Sequence, residues 1–445
     1  MANCGRFEKF PIVAVAVSGG SDSMALTLLA NEWAKSFGGR VIALTVDHGL
    51  RKDSKLEIKL VEKWMDALKI KHCKLKWDRG GKTSAIQQEA RVARYNLMEK
   101  WCSKYSVLHL LLGHTKGDQA ETFMMRRAKG SLVNGLAGMS VIVDRIHCQF
   151  LRPLLSFSRS ELRVFLKSQL QPWIDDPSNH DLQFERVRWR QIITQKIVSE
   201  KRILDECYNF GQKRLQLKRE TSKAIALLVS LKPQGFCNLD KLGFNSLRVD
   251  LKFQVLAKIL ITIGGLCYAP STIKIENMII AMGLGFKKSK TLGRCLIYDS
   301  NDRYFFFREQ RNLPDPLKVN SGQSVFWDGR FLLKFSYIGD SGILRPLARK
   351  DSLIIIKQIK SSKIDRMSLS YLPTLPALYT SEGLYSIPEL GFSNALWDSG
   401  NAESKIDFLA AIFRPKNSLS GPGFKLINGK NELNNNDIEV PVKLF

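Results

Sequence analysis

The chain has 445 residues, enough for about three domains at roughly 150 residues each. Apolar residues make up 44% and charged residues 25%, an ordinary globular balance, and no run approaches the roughly 18 apolar residues of a membrane span. Lys plus Arg is 68 and Asp plus Glu is 42, a net charge of +26, and that excess points to a polyanionic partner, either nucleic acid or an anionic membrane surface.

In chain order, MANCGRFEKF carries no apolar signal core, which predicts a cytoplasmic chain. Residues 12–17, 41–46 and 107–112 are short apolar runs suited to strands buried on both faces of a parallel sheet. Helical spacing lies between them, at Ala25, Leu28, Leu29 and Trp33 and again at Val61, Trp64, Met65 and Leu68. Further helices are expected over about residues 84–105 and 117–129. The resulting β-α-β-α-β-α-β-α order predicts an α/β, doubly wound parallel-sheet (Rossmann-like) domain that binds ligands at its strand ends. Residues 158–170 read as a helix capped by Ser158 with Glu161.

Residues 191–310 read as mainly helical, with basic clusters at Lys213, Arg214, Lys218, Arg219 and Lys223, then at Lys287, Lys288, Lys290 and Arg294. The segment 312–318, with two prolines, reads as a linker. Beyond it, VFWDGRFLLKFSYI and SLIIIKQI read as short strands, and the Asn-rich NELNNND as a flexible tail. The expected division is a catalytic domain over 1–205, a mainly helical domain over 206–311, a small α+β domain over 319–430 and a tail over 431–445.

The eight cysteines are dispersed with no Cys-x-x-Cys pair, which argues against a zinc ribbon or a thioredoxin-type centre. All six histidines lie at or before His180, so imidazole chemistry belongs to the first 180 residues. Trp33, Trp64 and Trp101 fall on helical core positions and read as packing.

The sharpest motif is Ser18-Gly19-Gly20-Ser21-Asp22-Ser23, joining the first apolar strand to the first helix. Two glycines permit close backbone approach, the helix N-terminus presents free N–H groups, and the serine hydroxyls add donors. This is an anion cradle. It lacks the Gly-Lys-Ser/Thr of a Walker A loop and is not GxGxxG. Alone, Asp22 would read as a helix N-cap and Asp118 as a first-turn charge.

The hexapeptide resembles the PP-loop SGGxDS of the N-type ATP pyrophosphatases, which split ATP between the α and β phosphates and adenylate an oxygen of a second substrate. Further segments narrow the resemblance: Val46-Asp47-His48-Gly49-Leu50-Arg51, Glu89-Ala90-Arg91-Val92-Ala93-Arg94-Tyr95, Gly113-His114, Asp118-Gln119-Ala120-Glu121-Thr122, Lys129-Gly130-Ser131, Gly135-Leu136-Ala137-Gly138-Met139 and Asp175-Asp176-Pro177-Ser178-Asn179 before Arg186, Arg188 and Arg190. In this order they resemble the tRNA(Ile)-lysidine synthetase family, densely over about residues 11–190. Three positions depart from its pattern: Gly117 where a second Asp is common, Leu132 where a Gly is common, and Val187 where an Asn is common.

The resemblance implies a soluble ligase that uses ATP and Mg²⁺ to join free lysine to carbon 2 of the wobble cytidine of tRNA(Ile) with a CAU anticodon, through an adenylated cytidine. It implies Ser18, Gly19, Gly20, Ser21, Asp22 and Ser23 for ATP, Asp22 and Asp118 for the metal, and Asp22, Asp118 and Arg94 for catalysis. His114 and Glu121 are implied for lysine, with Glu121 on the ammonium and His114 orienting the substrate or moving a proton. Asp47 and His48 are expected on the adenine side. Arg186, Arg190, Lys213, Arg214, Lys287, Lys288 and Lys290 are expected on the tRNA, and a homodimer is left open. The competing readings are a PP-loop tRNA thiolase, disfavoured by the isolated Cys73 and Cys102, and a non-catalytic nucleotide- or RNA-binding module.

Overall fold

A computed structural model describes the chain apart from residues 2, 3, 6, 48–53, 78–85, 177–180, 321, 336–341, 359–367, 382, 394–407, 421–423 and 427–445, and apart from the side chains of 54–55, 86–90, 357–358, 368–369, 393 and 408–409. Two compact units emerge, one of residues 1–216 with 422–445, the other of residues 217–421. The expected boundary at 205/206 instead falls inside one long helix, α8 below, and the division lies further along that same helix. The expected third domain is also split at its end, because residues after 421 belong to the first unit. His48, Pro177, Ser178, Asn179 and the Asn-rich tail lie outside the described residues.

The first unit runs β1 (Ile12–Ala16), α1 (Ser21–Ser36), β2 (Arg40–Asp47), α2 (Ser54–Ala67), β3 (Lys71–Lys76), α3 (Ile86–Lys104), β4 (His109–Leu111), α4 (Lys116–Ala128), α5 (Val133–Leu136), β5 (Ile142–Asp144), β6 (Gln149–Leu151), α6 (Arg159–Ser168), α7 (Glu185–Thr194) and the start of α8 (Glu200–Leu228). Its sheet has the order β3-β2-β1-β4-β6-β5, parallel except for the edge strand β5. The apolar runs are buried on both faces. Val13 and Val15 pack with Met24, Ala25 and Leu26 of α1, while Ala14, Leu110 and Leu112 pack with Met98 and Cys102 of α3. Trp33 and Trp64 pack against the first of these cores and Trp101 is buried in the second. The Ser158–Glu161 capping box forms, with the Ser158 hydroxyl accepting from the Glu161 N–H.

This unit is also tied by a distant piece of chain. The Val141 N–H donates to the Lys425 carbonyl at 3.0 Å, and the Lys425 N–H to the Ser140 hydroxyl at 2.9 Å. The Arg214 guanidinium lies 4.0 Å over the Phe424 ring.

The second unit starts with β7 (Val229–Lys232), β8 (Phe236–Asp240), α9 (Lys241–Ser246), α10 (Val249–Gly264), α11 (Thr272–Leu284), β9 (Lys290–Leu292), β10 (Cys295–Asp299) and β11 (Arg303–Arg308). Its strands form an antiparallel sheet of order β7-β8-β11-β10-β9. The region expected to be mainly helical is therefore helix and sheet together. The hairpin of β10 and β11 explains the difference: RYFFFR buries Tyr304, Phe306 and Phe307 completely, and aromatic side chains suit a strand buried in this way.

The unit continues with β12 (Leu317–Val319), β13 (Ser324–Trp327), β14 (Phe331–Phe335), β15 (Gly342–Pro346), α12 (Arg349–Gln358), α13 (Ser368–Tyr371), β16 (Pro376–Thr380), β17 (Gly383–Ile387), β18 (Phe392–Ser393) and β19 (Phe408–Phe413). These give sheets of order β12-β15-β16-β17-β18 and β13-β14-β19. The expected linker thus ends in a strand at Leu317. SLIIIKQI is helix α12, not a strand: Ser352 and Ile355 are buried three residues apart while Leu353 and Ile354 face outward.

Two buried features of this unit carry charge. Arg308 and Arg330, both fully buried, share Asp328 at 3.1 and 2.7 Å and spend their remaining donors on backbone carbonyls. Glu389 has two buried carboxyl oxygens without a hydrogen-bond partner, and burial pushes its carboxyl up to about 7 against the weaker pull of its own N–H and Arg330.

Candidate active site

In the first unit the sheet order reverses between β1 and β4, and their carboxyl ends open into one crevice. From β1 the chain passes through Ser18, Gly19 and Gly20 into the first turn of α1, Ser21, Asp22 and Ser23. Gly20 is the N-cap and no side chain caps the turn, so Asp22 is a first-turn residue of the helix and not its cap. The loop is pinned internally, with the Ser18 N–H donating to the Ser23 hydroxyl at 3.2 Å and that hydroxyl donating to the Gly20 carbonyl at 2.9 Å.

Two glycines are required by geometry. Gly19 has φ +85°, and a Cβ there would lie 2.7 Å from Ile174 Cδ1, while the Ile174 N–H donates to the Gly19 carbonyl at 2.9 Å. Gly113, just after β4, lets that strand end approach α1: a Cβ would sit 3.2 Å from Asp22 backbone atoms and the Ser23 nitrogen.

Every expected catalytic carboxylate is held by arginine. Asp22 receives Arg159 Nε at 3.0 Å and the Ser21 hydroxyl at 3.2 Å. Asp118 is the third residue of α4, and one of its oxygens takes the Thr115 N–H at 2.8 Å and the Thr115 hydroxyl at 3.0 Å. Its other oxygen faces Arg186 at 3.1 Å. Glu121, one turn on, is gripped by Arg186 Nε and Arg190 Nε, each at 2.6 Å. Burial alone would raise the Asp118 carboxyl, but Arg186, the Thr115 N–H and Arg159 outweigh it and the net shift is downward. The same pairing holds the Arg186 and Arg159 guanidiniums above their usual range in spite of burial.

His114 follows β4 and is half-buried. Its Nδ1 accepts from Arg152 Nε at 3.3 Å, and burial with the Arg152 charge pulls its imidazole down to about 3. Arg94 lies with its guanidinium 5.2 Å from the centre of the Tyr95 ring, and its buried Nε has no hydrogen-bond partner. A cavity of about 960 Å³ is lined by Ser18, Gly20, Asp22, Arg94, His114 and Arg190 among others, whereas Asp118 and Glu121 are not part of its lining. Leu44, Thr45 and Val46 of β2 line it too, so Asp47, half-buried at the end of that strand, stands beside the cavity wall.

The positions expected on RNA separate into two groups. Arg186 and Arg190 turn inward onto Glu121. Arg214 is half-buried, occupied by Phe424 and by the Asn134 carbonyl at 3.0 Å. Lys213 is exposed beside Phe210, and Lys287, Lys288 and Lys290 are exposed on the second unit. Sequence reading missed Arg152 and Arg159. Arg159 pairs with Asp22 across 137 residues, a separation that leaves no local spacing to read, and Arg152 follows a three-residue strand with no pattern of its own.

For a divalent cation, Asp22 and Asp118 offer hard oxygen donors, and no cluster of three or more His, Cys, Asp or Glu occurs among the described residues. Two carboxylates completed by phosphate oxygens is the donor set that magnesium accepts, so these residues fit the ion as part of a nucleotide complex.

A family model described as a PP-loop domain matches residues 3–197. The chain is 26% identical to the tRNA(Ile)-lysidine synthase of Orientia tsutsugamushi over 94% of its own length and 96% of that protein. It is 30% identical to the enzyme of that name from Rickettsia akari, over 85% of this chain and 90% of that one, and 30% identical to the one from Ruegeria pomeroyi, over 90% and 93%. Loop, sheet and match together define a PP-loop enzyme that uses ATP. The chain belongs to the tRNA(Ile)-lysidine synthase family.

Proposed function

We propose that this protein joins lysine to carbon 2 of the wobble cytidine of tRNA(Ile) with a CAU anticodon, releasing AMP and pyrophosphate through an adenylated cytidine. The observation that carries the reading is convergence on one cavity of the PP-loop, Asp22, His114 and Arg94, with Asp118 and Glu121 on the adjoining face of α4. Relatives bearing that name match along nearly the whole chain.

In the first step the cytidine carbonyl oxygen attacks the α-phosphorus and pyrophosphate leaves. The free N–H groups of the α1 first turn and the serine hydroxyls receive the phosphates. A magnesium ion bound with the nucleotide at Asp22 and Asp118 would neutralise phosphate charge. Arg159 pairs with a carboxylate now and can exchange it for phosphate, because its planar fork fits either.

In the second step the lysine amine attacks carbon 2 and AMP leaves. The amine must lose a proton that it holds up to a pKa of about 10.4 in water. Glu121 binds the ammonium in this reading, and Arg186 and Arg190 hold the place of that cation in the free protein. One ammonium then takes the place of two guanidiniums on Glu121, which frees donors of Arg190 and Arg186 for the anionic tRNA while Arg186 keeps Asp118. The thiolase alternative is weakened by the site itself, since no cysteine lines the cavity among the described residues. The test supplies ATP, Mg²⁺, lysine and bulk tRNA, then digests the tRNA and weighs its nucleosides. A lysine-mass adduct on cytidine supports the assignment, and release of pyrophosphate with no such adduct overturns it.

A further inference from the structure

We propose that Arg152 fixes His114 as the tautomer carrying its proton on Nε2, so that His114 is a hydrogen-bond donor to a substrate oxygen and not the base of the reaction. The argument starts from what a guanidinium can do. Arginine has donors and no acceptor, so the 3.3 Å contact from Arg152 Nε requires a lone pair on His114 Nδ1. A neutral imidazole then has its one proton on Nε2.

Arg152 is well placed to impose this. It is 9% exposed, its Nη1 donates to the Ser140 carbonyl at 2.8 Å, and its own N–H donates to the Val141 carbonyl at 2.8 Å. The charged groups that act on His114 are Arg152, Asp118, Arg91 and Arg186, and three of these four are cations that disfavour an imidazolium. Protonating Nδ1 would set two donors against each other in a buried place.

The consequence rests on the proposed lysidine reaction. With Nε2 already protonated, His114 cannot take the proton of the lysine ammonium, and that task falls to the carboxylates of α4. The Nε2–H instead polarises an oxygen of the substrates, either the lysine carboxylate or an oxygen of the adenylated intermediate. Arg152 is a positioning residue in this scheme, acting only through the ring.

Two experiments test it. In ¹⁵N-histidine protein at pH 7.5, the His114 signals, identified by their loss in His114→Gln, should show a protonated Nε2 and a bare Nδ1. Arg152→Met should mix the two tautomers and Arg152→Gln, which keeps a donor, should restore the single one. The opposite tautomer in the wild-type protein, or protons on both nitrogens, would overturn the proposal whether or not the Arg152 variants fold. Second, a Gln amide nitrogen can stand where Nε2 stands, so His114→Gln should keep activity within about tenfold while His114→Ala loses about a hundredfold. Equal, complete loss in both variants makes His114 a base and sinks the idea. A raised KM for lysine in His114→Ala assigns the oxygen to the lysine carboxylate, and slowed pyrophosphate release assigns it to the adenylation step. Absence of lysidine from the wild-type enzyme would refute the proposed reaction, whereas the ¹⁵N spectrum tests the tautomer independently of it.

Discussion

At the scale of single residues, the site is a set of carboxylates balanced by arginines, and Glu121 is the most tightly held. Its side chain is 4% exposed, with a guanidinium on each oxygen. Glu121→Gln removes the carboxylate that both arginines share, leaving Arg186 only its pairing with Asp118, and should cost about 2 kcal/mol of stability in the first unit, in line with charge-assisted hydrogen bonds. Its functional effect should be selective. Lysine transfer to adenylated tRNA should fall about a hundredfold while pyrophosphate release changes less than tenfold, and assays of the separate half-reactions measure this. Equal losses would remove Glu121 from the ammonium site. The carboxylates were visible in the sequence because Asp118 and Glu121 sit one helical turn apart. Their arginine partners were not, since a pair formed across 65 or 137 residues obeys no local period.

At the scale of elements, α4 shows how one departure from the family pattern can be read physically. Gly117 stands in its first turn, where the sequence resemblance predicts a second carboxylate, and a Cβ there would touch only the Thr115 hydroxyl, at 3.9 Å. Gly117→Asp should therefore fit, and should raise stability by about 1 kcal/mol through lower chain entropy and a favourable first-turn charge. Chemical denaturation of both proteins checks the sign, and a destabilised variant would mean that Asp22 or Asp118 repels the new charge. The turn into β9, with the first residue of that strand, carries the second prediction. Replacing exposed Lys287, Lys288 and Lys290 by Ala should weaken tRNA binding and lower the salt slope by about one per lost phosphate contact, with ATP binding unchanged. An unchanged slope would make the cluster a solvated face. Elements were legible where apolar runs or helical spacing were long, as for β1, α1 and α4. SLIIIKQI misled because β-branched residues favour strands in general, and the packing of Ser352 and Ile355 decided for a helix.

At the scale of the whole molecule, the two units should answer acid in opposite directions. Every histidine lies in the first unit. His72, His109 and His114 are held below their usual pKa, chiefly by burial. A depressed histidine binds more protons when unfolded, so the first unit should lose stability as pH falls below about 6.5. In the second unit Glu389 is raised to about 7. A raised carboxyl binds more protons when folded, so its contribution is present at low pH and lost as pH rises through that value. Hydrogen exchange at pH 7.5 and 5.5, corrected for intrinsic rates, should show protection falling around His114 and rising around Glu389. A shift of the same sign in both places would contradict this. The charge total foretold a polyanionic partner, but it could not foretell which unit holds which titrating group, because that depends on burial.

The short stretch from Phe424 to Leu426 makes the first unit discontinuous in sequence, since it pairs with Ser140 and Val141 after some 280 intervening residues. On the ribosome, residues 1–216 emerge long before this stretch exists, so any folding of the sheet and the phosphate loop during that interval proceeds without it. The clasp can form only after the second unit has been made. A chain cut short between residues 217 and 423 would therefore leave the edge at Ser140 and Val141 unfastened, and limited proteolysis should cut such a truncation there faster than the full chain.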